Sequence, residues 1–267
     1  MDRIIIKNGL VLDGTGAAGF PADVAVEGDR IVAVGQLESV DAEITIDASE
    51  RVVAPGFIDM HSHADYTLPV WPTADSLLHQ GITTVVVGQC GFSPAPLREA
   101  TRESVVRQVA ALLGGVGPPL PWDQWSNFGE YLGYLEQIGI SPNVVPLVGQ
   151  GVVRAAVMGY TAGPASAEQM RRMQTEVVRA MEEGAFGLST GLIYPPGSFA
   201  AFEEPLTARW AQEEAFTSAT FGAKAIRCDR RSPRPSRSAA GRVRRCRSAI
   251  SRRRAKEIGA RPDAPWS

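Results

Sequence analysis

The chain has 267 residues, 44% of them apolar, enough to bury the core of one large domain or two smaller ones. Its net charge of -2 hides a split: residues 1–220 carry 12 basic and 26 acidic side chains, whereas residues 221–267 carry 15 basic and 3 acidic. No run reaches the roughly 18 apolar residues of a membrane span, and Cys90, Cys228 and Cys246 match no zinc-finger or thioredoxin spacing.

Residues 1–54 read as all-β. Residues 4–12 are strand-like and too short in their apolar run for a signal peptide, so a soluble cytoplasmic protein with no membrane partner is expected. Short strands are predicted at 4–6, 11–12, 24–26, 31–34 and 44–46, with Gly9, Gly14, Gly16, Gly28, Asp29 and Gly35 as turns. Gly28-Asp29 sits at the bend of a hairpin. From Val52 the rhythm becomes strand, loop, helix. A strand at 57–60 ends at His61, and a helix at 74–79 stops at Gly81. Residues 83–87, TTVVV, are apolar and β-branched without alternation, as a strand buried on both faces requires. Helices are predicted at 104–113 and 122–138, and a third strand at 143–148. Ser166 and Gln169 form a capping box. Met170, Met173, Val177 and Met181 then lay an apolar stripe along one helical face, and Gly184 ends it. A fourth strand at 186–188 runs into a loop dense in Gly and Pro.

Alternating strands and helices predict a parallel sheet. Four such units fit half of a (β/α)8 barrel, the whole of which takes about 250 residues. The fold class is therefore α/β, a partial TIM-like barrel after a small β segment. Beyond about residue 217 the pattern is lost. Residues 227–256 hold 12 arginines and few large apolar side chains, so a disordered basic tail is expected.

The chemistry centres on APGFIDMHSH at 54–63. Side chains two apart on a strand share a side, so His61 and His63 project together from a strand's C-terminal end. Barrel sites are built at that end. Paired imidazoles suit a borderline-soft divalent ion such as zinc. Two incidental loop histidines are the competing reading. His79, late on a helix, reads as a surface or capping residue. Asp59 shares the strand face of His61 and is a candidate to orient it, with a plain structural role as the alternative. Asp65 reads as a solvated loop residue, or as one facing a substrate.

Residues 53–63 resemble the metal-binding opening of the amidohydrolase superfamily. QGITTVVVGQCG at 80–91 and GLSTGLIYPPG at 187–197 resemble a narrower group, the N-acyl-D-amino-acid deacylases (D-aminoacylases). The resemblance spans about residues 1–205. It implies a β-sandwich plus a metal-bearing barrel, with 1–54 as the N-terminal sandwich segment, 55–212 as the first half of the barrel and 213–267 as the tail. It implies Zn2+ held by His61 and His63, with Cys90 as a thiolate ligand. Cys90 also follows a buried strand, in a Gly-flanked loop at the same end, although a small buried thiol is the structural alternative. Tyr194 would contact the amide or carboxylate end of an N-acyl amino acid, with Ser189 as a second substrate-binding candidate. Packing of Tyr194 on Pro195-Pro196 and a turn role for Ser189 compete with this. The implied reaction is zinc-dependent hydrolysis of the amide bond of a small N-acyl-D-amino acid.

The family's further histidines on strands five and six, and its aspartate acid/base on strand eight, cannot be assigned, because no histidine follows His79. Permitted codons for residues 213–227, read in a shifted frame, can encode GGFYIGHIRSEGDT, which resembles the family's fifth strand. Residues 232–242 can similarly give IAEAVAVGRRAG. A frameshift near residues 205–213 is therefore expected, with a truncated chain that is inactive alone and prone to aggregate through open strand edges. The gene's DNA tests this. Dihydroorotase- or hydantoinase-like cyclic amidases are the alternative, but they use a lysine on strand four, and no lysine lies between Lys7 and Lys224. A nucleic-acid binder acting through the arginine tail is the non-enzymatic alternative. The tail has almost no aromatic residues for stacking and no known module, so no nucleic-acid partner is expected.

Overall fold

The computed structural model describes residues 3–37, 41–112 and 119–201, together with the backbone of 216–220. The chain divides into two compact units, Met1–Phe57 and Ile58–Ser267.

The first unit is built on a long central strand, β1 (Arg3–Val11). It pairs antiparallel with β2 (Phe20–Glu27), which pairs antiparallel with β3 (Arg30–Gly35). Two short strands, β4 (Ile44–Asp47) and β5 (Val52–Val53), pair parallel with β1. The hairpin between β2 and β3 turns at Gly28, whose φ of +60° favours glycine. The strands predicted at 4–6 and 11–12 are one strand. A register shift between Ile6 and Gly9 divides it, with Asn8 at φ +64°. Asp23 holds that kink, accepting the Asn8 N–H at 2.9 Å and the Leu37 N–H at 3.2 Å.

The second unit is a curled parallel half barrel flanked by helices. Its strands are β6 (Phe57–Asp59), β7 (Ile82–Val87), β8 (Asn143–Gly149), β9 (Gly187–Gly191) and β10 (Phe216–Thr220), side by side in that order. Its helices are α1 (Asp75–Leu78), α2 (Glu99–Leu112), α3 (Phe128–Ile138), α4 (Gln150–Met158) and α5 (Ala167–Glu182). Val85, Val87, Val148 and Leu188 from the strands join Val105, Tyr131, Leu135, Val153, Met173 and Val177 from the helices in one core. Ser166 caps α5 as its capping box predicts, and Gly184 follows the helix at φ +118°.

Four larger differences from expectation lie in the second unit. α2 begins at Glu99, five residues before the predicted start. The single helix predicted at 122–138 is a short 3-10 turn at Trp122–Gln124, then a break, then α3. Asn127 restarts the helix through a capping box with Glu130. Trp125 fills the break, buried, with its indole N–H on the Pro94 carbonyl at 3.0 Å. α4 was not predicted. It opens at Gln150-Gly151 with no side-chain cap, and its buried residues 150–155 are consecutive, so no polar stripe marks it. β10 lies inside the range read as tail, where its backbone pairs parallel with β9 from Phe216↔Gly187 to Thr220↔Gly191. The rest of the 213–267 tail, and with it the shifted-frame reading, lies outside the described residues. Among the described residues no helix is long and apolar enough to cross a membrane.

Candidate metal centre

β6 ends at Asp59, and the chain beyond it stays attached to β7 because the Ser62 N–H donates to the Val86 carbonyl at 3.0 Å. This continues the strand-like alternation past the sheet edge. Ser62 faces inward and is buried, while His61 and His63 are exposed, their ring centroids 5.8 Å apart. Asp59 accepts the backbone N–H of His61 at 3.0 Å, so it positions the main chain of that residue.

β7 delivers the third donor. After Val87 the chain turns sharply: Gly88, Cys90 and Gly91 have φ of +76°, +59° and +76°. Cys90 is thus a non-glycine residue in the left-handed region, an uncommon state held by its surroundings. Its thiol is buried and in no disulfide. Its Sγ lies 3.2 Å from His61 Nε2, and ligand atoms of His61, His63 and Cys90 all fall within 4.8 Å of one another. A tetrahedral zinc ion, with Zn–N of about 2.0–2.1 Å and Zn–S of about 2.3 Å, holds neighbouring donors roughly 3.5 Å apart. Small side-chain adjustments therefore suffice, and two nitrogens with a thiolate are a zinc-type donor set.

Protein packed around His63 lowers its pKa from the usual 6.5, and the adjacent His61 lowers it further. Asp65 is not the solvated loop residue expected. It is 1% exposed, and burial pushes its carboxyl up to about 8 despite N–H donors from Gly88, Asp65 and Tyr66. Its Oδ2 accepts the Gly88 N–H at 3.1 Å, and its carbonyl accepts the Tyr131 hydroxyl at 3.0 Å. His79 is exposed at the C-cap of α1, as its surface or capping reading anticipates.

The two deacylase-like segments meet. Gly191, at the end of β9, approaches the Cys90 loop so closely that a Cβ there would lie 1.8 Å from the Cys90 carbonyl oxygen. Ser189 is fully buried; its hydroxyl donates to the Gly88 carbonyl and accepts the Gly91 N–H at 3.0 Å. The hydroxyl thus faces the Cys90 loop. Tyr194 packs its ring on Phe92, centroids 5.3 Å apart, two residues beyond Cys90, and remains 36% exposed. Gln89 was missed by sequence reasoning. It is fully buried, and its amide donates to the Met60 carbonyl at 3.0 Å, tying the Cys90 loop to the histidine segment. Nothing local marks a Gln between Gly88 and Cys90 as inward-facing. Asp65 carried one usable signal, its position two residues after His63.

The amidohydrolase family profile matches residues 45–228. The chain belongs to the amidohydrolase family. Within it, this amidohydrolase chain is similar to the N-acyl-D-amino-acid deacylases. It is 41% identical over 199 residues to the N-acyl-D-glutamate deacylase of Alcaligenes xylosoxydans xylosoxydans, covering 74% of this chain and 38% of that protein. It is 36% identical over 209 residues to the D-aminoacylase of the same organism, covering 75% and 40%. Among solved structures it is similar to an N-acyl-D-glutamate deacylase from Bordetella bronchiseptica complexed with zinc and a phosphonate inhibitor. That match has a TM-score of 0.72, with 35% identity over 81% of this chain and 44% of the other. The D-aminoacylase crystal structure matches with a TM-score of 0.65 and 38% identity, over 77% and 42%. The chain thus spans about two-fifths of the length of the curated relatives it matches, 38% and 40%.

Proposed function

We propose that His61, His63 and Cys90 bind a zinc ion, and that the chain belongs to a hydrolase acting on the amide bond of N-acyl-D-amino acids. The observation that carries this is the convergence of two imidazoles and one thiol within 4.8 Å at the ends of adjacent strands. The deacylase relatives, one solved with zinc, support the substrate class and the metal.

Zinc, when bound, acts as a Lewis acid that polarises the scissile carbonyl and acidifies water. The chain's own residues would hold and orient it. His61 and His63 offer nitrogen lone pairs at the strand end, and Cys90 offers a thiolate. Asp59 fixes the backbone of His61, and Gln89 ties the thiol's loop to Met60 beside it. Tyr194, half-exposed beside Phe92, presents a phenol for the amide or carboxylate end of the small substrate.

Zinc titration of the purified chain against a chromophoric chelator tests the metal. One ion per chain is expected, with affinity falling more than about 100-fold in Cys90→Ala and in His61→Ala, beyond the usual loss for an indirect partner. Unchanged affinity in both variants overturns the assignment. Calorimetric titration of the zinc-loaded chain with N-acetyl-D-glutamate, N-acetyl-D-aspartate and their L counterparts tests the substrate class, and binding of the L forms alone contradicts it.

A further inference from the structure

We propose that Ser189 is a positioning residue for Cys90, its hydroxyl bridging Gly88 and Gly91 so that the thiol is held towards His61. The inference rests on the reading of Cys90 as a metal ligand.

Cys90 occupies the left-handed region at φ +59°, so its conformation must be imposed by neighbours. Three elements impose it. Asp65 accepts the Gly88 N–H, and Gln89 donates to the Met60 carbonyl, both anchoring the loop to the segment that carries His61 and His63. The third anchor comes from 98 residues further along the chain, where Ser189 on β9 accepts the Gly91 N–H and also donates to the Gly88 carbonyl. These two backbone groups bracket Gln89 and Cys90. The strand ends leave no slack around them: a Cβ at Gly149 would lie 2.5 Å from the Gly91 carbonyl, and one at Gly191 1.8 Å from that of Cys90. With Ser189 fully buried, no water replaces the hydroxyl when it is removed. Loss of the bridge leaves a buried N–H and a buried carbonyl unmet, and the loop relaxes to recover them. The Sγ–Nε2 approach of 3.2 Å is the geometry that relaxation degrades.

The test uses the full-length chain with Cys228→Ser and Cys246→Ser, which leaves Cys90 as the one thiol. Cobalt(II) is titrated while the near-ultraviolet thiolate-to-cobalt charge-transfer band and the visible ligand-field bands are followed. The parent chain shows both. Ser189→Ala is expected to lose about tenfold or more in cobalt affinity, as for other residues that orient a ligand. It also weakens the charge-transfer band relative to the ligand-field bands, with an unchanged far-ultraviolet circular dichroism spectrum. Ser189→Thr, which keeps the hydroxyl, restores most of the band. A parent band that Ser189→Ala leaves unaltered in affinity and intensity overturns the role of Ser189 alone. A parent chain without the band overturns the thiolate ligand, and the role of Ser189 with it. Where Ser189→Ala does not fold, hydrogen exchange of the parent chain decides. Protection of the Gly91 amide supports the bridge, and exchange at the rate of a solvated loop refutes it.

Discussion

Asp23 in the N-terminal sheet and Asp65 in the half barrel each accept a backbone N–H from a residue in the left-handed region: Asn8 at 2.9 Å and Gly88 at 3.1 Å. Asp23 is partly exposed, and the N–H groups of Asn8 and Leu37 hold its carboxyl below the usual 3.8. Asp65 is buried, and loss of solvent outweighs its N–H donors and carries its carboxyl up to about 8. The same hydrogen bond therefore accompanies opposite pKa shifts. The surroundings decide which, because burial penalises the ionised form and solvent does not. They also decide what losing the bond costs, since water replaces a donor at the surface and not in the core.

Two glycines, one in each region, repeat the contrast and give the largest expected effect. Gly88 and Gly28 have φ of +76° and +60°, but a Cβ at Gly88 would lie 1.9 Å from the Leu147 carbonyl oxygen, whereas at Gly28 nothing lies within 4 Å. Gly88→Ala is expected to cost about 3 kcal/mol or more, backbone strain plus overpacking. Gly28→Ala should cost about 1–2 kcal/mol, the strain alone. Urea melts of the two variants check this, and equal losses remove the distinction between the regions. Asp65→Ala comes next, at about 1–3 kcal/mol for a buried N–H left without its acceptor, read from the same melts. Ser166→Ala, which breaks the α5 capping box, should cost about 1 kcal/mol and leave zinc affinity unchanged. The smallest effect is Asp23→Asn. Because the folded-state pKa of Asp23 is depressed, its stabilisation is present above the unfolded value of 3.8 and is lost as pH falls through the folded one. The variant should melt below the parent at pH 7, and the gap should narrow as pH falls below 3.8. A gap that does not narrow assigns the effect to packing and not to charge.

Much of the architecture was legible because it depends on neighbours in the chain. Gly28 marks the hairpin by its conformational freedom, TTVVV marks the buried β7, and Ser166 with Gln169 marks the start of α5 through a bond three residues long. His61 and His63 share a side through the two-residue period of a strand, so two of the three donors of the candidate metal site follow from spacing alone. The break before α3 was also written locally, as Asn127 and Glu130, but Trp122, Trp125, Phe128 and Tyr131 recur at near-helical spacing across it and masked the cap.

The rest depends on contacts between distant segments. α4 is held by burial against β8, β9 and α5 without a cap or stripe of its own. The closeness of Cys90 to His61, the inward turn of Gln89 and the burial of Asp65 arise where strand ends converge. Ser189 shows the limit best. A loop-edge serine is compatible with a turn, a cap or a substrate contact, and only the approach of β9 to the Gly88–Gly91 turn directs its hydroxyl. Residue types and short periods thus determined which side chains were available for metal chemistry. The curl of the sheet decided which of them meet, because the burial and hydrogen bonding of a side chain are set by whatever the fold brings against it.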